Sequence, residues 1–334
     1  MDTTLHRLLA SSSINALMNS IVGHYVTIYM IHRPQPLDGA YEGLTPALLE
    51  ECIVYAKNAG FEFASIDEIL ADAIAGRKPQ RPTICFTLDD GYQDQLDQLV
   101  PVLLAHQCKP TLFTIVDMID GIVWPWDARL SYATWTSTQT NANFQFNNVR
   151  FDLLLDQPAA RIRSRRQLTR FAKTLKPDQL HEFIQTALTA LAFDPDASMA
   201  ASYRPASWDS LRSAEQQGLR IGSHACSHQV FAVLSDAQIT AELERANNRL
   251  AQELKAPSRV FCYPSGTVND YFPHHIPLVN AQGFTGALTS TPGNTNLKQI
   301  QGKPFEIKRH SFPNNFEKFV RYSSWLEYIR SSIE

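Results

Sequence analysis

Short apolar runs alternate along the chain with longer stretches in which apolar residues return every three or four positions. Tyr25–Ile31, Phe61–Ala64, Ile84–Leu88, Thr111–Val116, Leu219–Ser223, Arg259–Tyr263, Phe284–Thr289 and Phe305–Lys308 are rich in β-branched and aromatic residues, and predict strands. Helical patterns fill the spaces. One follows Thr45 and stops near Gly60, and a second opens with the capping box Ser65-Ile66-Asp67-Glu68 and ends near Gly76. Others cover Asp94–His106, Trp208–Gln217, Asp236–Lys255 and Phe316–Ser331. Strands and helices alternating at these lengths predict an α/β fold, a parallel sheet with helices outside it. Leu8–Val22 reads as an amphipathic helix, which makes residues 1–21 a helical extension before a main domain over residues 22–334.

The rhythm breaks between Ile119 and Ser207. The stretch from Trp124 through Phe193 is polar and predicted to be helical, and we read residues 120–206, approximately, as an insertion on the mouth or flank of the domain. It carries Arg161, Arg163, Arg165, Arg166, Arg170, Lys173 and Lys176. The bland reading of this run is a solvated helix face; the sharper one is a contact for an acidic glycan or a diphosphate-linked carrier. Trp124 and Trp126 are likewise either core residues or rings on which a sugar stacks.

Candidate chemistry lies at strand ends. Asp89-Asp90-Gly91 closes the run Ile84–Leu88, and His224 and His228 follow Leu219–Ser223. Alone, Asp-Asp-Gly is commonly a turn, and His-x3-His is commonly a solvated or capping pair. Together they supply two imidazoles and one carboxylate for a divalent metal and a second carboxylate to move protons, because neighbouring residues leaving a strand point to opposite sides. A His pair at i and i+4 shares a face if the segment enters a helical turn. Three protein ligands leave room for water, the arrangement of a catalytic rather than a structural site. His32, Asp89, Asp90, His224, Tyr263 and His310 each directly follow a strand candidate. In a β/α barrel those ends converge on one face, whereas an open sheet would spread them too far apart to share one ion.

Composition narrows the rest. A chain of 334 residues with 44% hydrophobic content can bury one large core, and a net charge of -3 gives no global field for nucleic acid or an anionic membrane. Cys52, Cys85, Cys108, Cys226 and Cys262 fall singly, which reads as free thiols in a reducing compartment. Cys226, between the two histidines, is a possible but poor extra ligand. Polar residues such as Asn15, Asn19 and His24 interrupt the apolar N-terminal region, so neither an export signal nor a membrane span is expected, and the cytoplasm is the expected location.

These residues resemble the polysaccharide deacetylases of the NodB-homology type, carbohydrate esterase family 4. Thr87-Leu88-Asp89-Asp90-Gly91-Tyr92 is similar to the family's T-F-D-D-G motif, and His224 to His228 to its H-[ST]-x-x-H motif. Val260-Phe261-Cys262-Tyr263-Pro264-Ser265-Gly266 is similar to the F-A-Y-P-Y-G version of one branch, with further matches at Tyr29–Arg33 and Ser207–Leu211. The resemblance spans residues 22 to 313, in order. It implies a distorted (β/α)7-type barrel with a helical insertion, and a metal-dependent hydrolase that removes N-acetyl groups from an N-acetylated glycan or glycan precursor. Carried over, it makes Asp89 the catalytic base and Asp90, His224 and His228 the ligands of one divalent ion, zinc by default with cobalt and nickel also suited. His32, Tyr92, Tyr263, Pro264 and Trp126 are the expected substrate contacts, with a backbone N–H near Tyr263-Pro264 as an oxyanion donor. His310 is the first candidate for the general acid and His32 the second. There are departures. Leu88 and Ser265 replace the usual Phe and Tyr, and no Arg-Pro-Pro-Tyr segment supplies the arginine many relatives place beside the base. Hydrolysis of O-acetyl esters or non-sugar C–N bonds, and sugar binding without turnover, therefore stand as alternatives.

Overall fold

The computed structural model describes residues 12–36, 43–77 and 81–333. Residues 1–11 of the expected N-terminal extension lie outside the described residues; a helix covers Ser12–Val22.

The strands are β1 (Val26–Ile31), β2 (Glu62–Phe63), β3 (Thr83–Asp90), β4 (Thr111–Thr114), β5 (Asn141–Phe146), β6 (Val149–Leu154), β7 (Arg220–Ser223), β8 (Val260–Cys262), β9 (Gly286–Leu288) and β10 (His310–Ser311). The main sheet runs β10-β1-β3-β4-β7-β8-β9 with parallel neighbours, and β2 pairs with the start of β3. The expected strand Phe305–Lys308 is displaced. Residues 304–309 are irregular but ladder onto β9 through Ala287 N–H to Pro304 O, Ile307 N–H to Ala287 O and Thr289 N–H to Ile307 O. The chain then enters β10, which pairs with β1. The sheet thus curls round into a distorted barrel.

Helices follow the strands on the outside. Ser65 caps Ile66–Ile74 with the expected reciprocal bond from Glu68, and Thr45, Ser207 and Ser235 cap the helices over Pro46–Asn58, Trp208–Gln216 and Asp236–Glu253. Every residue of β1 is buried, as expected of a parallel strand covered on both faces. Alternation divides the side chains between two sets. Val26, Ile28, Cys85, Phe113, Val260, Cys262, Leu288 and Ile307 form the interior cluster, while Tyr29, Phe86, Leu88, Leu112 and Ile221 pack outward against helices.

The stretch expected to be helical is mixed. Helices Trp126–Thr136, Pro158–Ala172 and Pro177–Ala190 accompany an antiparallel hairpin of β5 and β6. Asn147 and Asn148 turn the hairpin at φ 47° and 61°, the two left-handed residues that a tight hairpin turn requires. Phe144 stacks on its cross-strand partner Phe151 at 4.7 Å. With Leu130, Leu168 and Phe183 they build an apolar cluster apart from the barrel's own.

Candidate active site

β3 ends on Asp89 and Asp90, and the backbone turns sharply there. Asp90 sits at φ 82° and Gly91 at φ 99°. A Cβ on Gly91 would lie 3.0 Å from Thr114 Cγ2, so the close approach of β4 demands glycine. Gln95 holds the corner. Its carbonyl accepts from the N–H groups of Gly91 and Tyr92 at 3.2 and 2.8 Å, and its amide donates to the carbonyls of Asp89, at 2.7 Å, and His32. Gln95 opens a five-residue π-helical segment, Gln95–Leu99, where a plain helix was expected; such widened turns are frequent at functional sites.

His224 and His228 converge without the helical turn expected from their spacing. The segment is a loop in which Ala225 and His228 adopt φ 62° and 59°, and the His224 N–H donates to Thr114 O at 2.9 Å. A non-glycine residue in this region is strained, and here the strain brings the rings to 4.9 Å between centroids. Their Nε2 atoms lie 3.8 and 3.9 Å from Asp90 Oδ1. Ligand atoms of all three residues fall within 4.8 Å of one another.

The tautomers are set from behind. His224 Nδ1–H donates to Cys262 O at 2.8 Å, and His228 Nδ1–H to Asp127 Oδ1 at 3.1 Å, so both Nε2 atoms face Asp90. Burial pushes His224 down to about 3, which keeps it neutral. For His228 burial works the same way, but Asp127, with Asp90 and Asp89 behind it, overrides it and lifts the ring to about 9. A cation at Nε2 would displace that second proton while the bond to Asp127 persists. Burial raises Asp90, and Asp127 and Asp89 push the same way, against His228 and His32. Two imidazoles and a carboxylate, oriented by a carbonyl and a second carboxylate, suit a divalent ion by donor chemistry and by geometry.

Asp89 points into the barrel, 2% exposed, onto the guanidinium of Arg309. Nη1 donates to Oδ1 at 2.8 Å and Nη2 to Oδ2 at 2.9 Å. Burial alone would raise the carboxyl; the charge of Arg309 and its two hydrogen bonds, helped by His224 and His32, outweigh it and hold Asp89 well below the usual carboxylate range. The arginine that the sequence seemed to lack thus comes from the irregular segment that leads into the barrel-closing strand β10. Period two along residues 307–310 turns Ile307 and Arg309 inward, and the same alternation corrects the reading of His310. That ring faces outward, with Nε2 2.9 Å from Asn294 Oδ1 and the plane stacked on Tyr322 at 4.9 Å, away from both aspartates.

A cavity of about 550 Å3 opens over Asp90, and His32, Tyr92 and Asp127 line it. Tyr263, Pro264 and Trp126 do not. Tyr263 is stacked on Tyr271 at 4.2 Å inside the fold, its N–H is taken by Leu288 O, and Pro264 has no N–H to offer. Trp126 is buried in the cluster of the insertion and donates to His228 O at 3.1 Å. It supports the histidine loop rather than a sugar. Cys226 contacts Glu242 and Arg245, away from the cradle; Cys262 Sγ is the thiol that approaches Asp89, at 3.7 Å. Among the described residues no helix is long and apolar enough to cross a membrane.

Comparison with known proteins points the same way. A family model described as polysaccharide deacetylase matches residues 186–287, the stretch that holds both histidines. No curated protein matches the sequence. Among solved structures, a Streptococcus pyogenes deacetylase, PplD, in complex with acetate aligns at TM-score 0.59 and 14% identity, covering 90% of this chain and 98% of that one. IcaB from Ammonifex degensii aligns at 0.58 and 12%, covering 90% and 97%. The deacetylase domain of BpsB from Bordetella bronchiseptica aligns at 0.52 and 14%, covering 86% and 97%. At these identities the alignments establish a shared fold.

Proposed function

We propose that the chain is a polysaccharide deacetylase, a reading that the matched family model and the shared fold support, and that it removes N-acetyl groups from an N-acetylated glycan or glycan precursor with one divalent cation. The observation that carries this reading is the meeting of Asp90 Oδ1 with His224 and His228 Nε2, at 3.8 and 3.9 Å, beside an Asp89 clasped by Arg309. Asp90, His224 and His228 hold the ion, and zinc is our assignment, with cobalt and nickel suited to the same donors. A bound ion of this kind polarises the amide carbonyl and lowers the pKa of a bound water.

The protein's own groups do the rest. Asp89, ionised by Arg309, accepts the proton of the attacking water. Arg309 keeps that carboxylate in one rotamer and offsets its charge in the barrel interior. His32, exposed at the end of β1 in the same cavity, gives a proton to the departing nitrogen; its charge acts on both Asp89 and Asp90. It takes the role first expected of His310. The presence of Arg309 also removes one reason for reading the chain as a binder without turnover.

Acetate release from N-acetylated chito-oligosaccharides by the zinc-loaded chain tests the proposal. Asp89→Asn should retain the metal and lose roughly 10²–10⁴-fold in rate, the usual contribution of a general base. A variant that binds zinc and hydrolyses as fast as the native chain would remove Asp89 from the mechanism.

A further inference from the structure

The helix Pro158–Ala172 carries five arginines and no acidic residue, in a chain of net charge -3. Its face over the cavity is formed by Arg161, Ile162, Arg165 and Arg166, two i,i+4 pairs. Arg161 is spent on structure. It donates to the carbonyls of Thr134, Trp135 and Ser137 at 2.8, 2.8 and 2.9 Å, closing the end of the helix Trp126–Thr136; these neutral partners leave its charge in place. Arg33, on the opposite side, is paired with Asp94 at 2.6 Å and lies over Tyr92 and Tyr203. Arg165, half-buried, and Arg166, exposed, have no carboxylate partner among the described residues. The acids of the same cavity, Asp90 and Asp127, face the imidazoles at its floor. Charge is therefore segregated within one cavity, acidic where the cation is held and basic along the helical wall.

Two guanidiniums inside a ligand cavity, without a carboxylate partner among the described residues, suit an anion, since the planar fork matches the oxygens of phosphate and carboxylate. A neutral glycan would give them nothing to neutralise. Resting on the deacetylase reading above, we propose that the substrate is an anionic glycan, with a phosphate or carboxylate group held by Arg165 and Arg166 while the acetamido group lies at Asp90. The chain's overall negative charge rules out a global field as the source of attraction, so the selection is local to this wall.

Acetate release and calorimetric binding, the latter on zinc-loaded Asp89→Asn, should be compared for three ligands: a neutral N-acetylated oligosaccharide, one of equal length with alternating glucuronic acid, and an N-acetylhexosamine diphosphate. The expected result is a preference of at least about tenfold for an anionic ligand at low salt, shrinking as salt screens the exposed part of the contact. Arg165→Gln/Arg166→Gln should bring the ratio to within about threefold, whereas Arg170→Gln, on the same helix outside the cavity, should not. Preference for the diphosphate alone or the uronate alone names the anion. Equal use of neutral and anionic ligands by the native chain, or an equal loss on both in the double variant, overturns the inference. Should the double variant fail to fold, Arg166→Gln and the salt dependence of the native chain carry the same test. Anion-selective binding without acetate release from any ligand would sink the deacetylase reading and leave the wall standing; release from the neutral ligand without preference would do the reverse.

Discussion

The barrel and the inserted stretch both hold His228, and they are built differently. In the barrel, Asp89 and Asp90 end a strand, His224 directly follows one and Arg309 directly precedes one, and the fold brings them together. The insertion packs about Leu130, Phe151, Leu168 and Phe183, and it reaches the site through Asp127 on His228 and Trp126 on the His228 carbonyl. The lesson is a division of labour. In the proposed reaction the barrel supplies the reacting groups, and the insertion orients His228 and walls the cavity.

The comparison is broken most severely at Arg309. Replacing it by Met strands a buried carboxylate, which should cost about 3–5 kcal/mol of stability in urea unfolding. Asp89→Leu/Arg309→Met should recover much of that loss without restoring activity, which separates a structural pair from a catalytic one. Leu168→Ala, in the apolar cluster of the insertion, should cost about 2–5 kcal/mol yet leave zinc affinity in the folded protein close to native; an equal fall in affinity would mean that the two regions are not separable. Asp127→Ala frees His228 from its orienting carboxylate and should weaken metal binding about 10- to 100-fold, read by competition with a chelator.

A more gradual effect, spread over several pH units, is a pH dependence to which the barrel's outer layer contributes. Burial, with Arg330, Arg321 and Lys308 nearby, lowers His310 from its ordinary 6.5 to about 4. The folded state therefore prefers the neutral ring. Its contribution is present above 6.5 and is lost as pH falls toward 4, at no more than about 1.4 kcal/mol per pH unit. His310→Gln should flatten that part of the urea midpoint profile; an unchanged profile would place the dependence elsewhere.

The strand-end chemistry was legible because β/α alternation and the two motifs are local patterns, and parallel strands buried on both faces read as plain apolar runs. Arg309 was hidden for a geometric reason. The histidine beside it carries the more familiar proton chemistry, and only the inward or outward sense of one irregular segment, fixed by its ladder with β9, decides between neighbours. The hairpin did leave a signal, Asn147-Asn148 between the alternating segments Asn141–Phe146 and Val149–Leu154, which the surrounding polar helices masked. Asp127 and Gln95 carry no local mark at all. Their roles exist only once the histidine loop and the Asp90 corner are folded against them.

Zinc titration of the metal-stripped chain beside His228→Ala bears most directly on the shared cradle. The native chain should take up one equivalent, and the variant, with two of three ligands left, none at the same concentration. One equivalent bound with equal affinity by both would contradict the account.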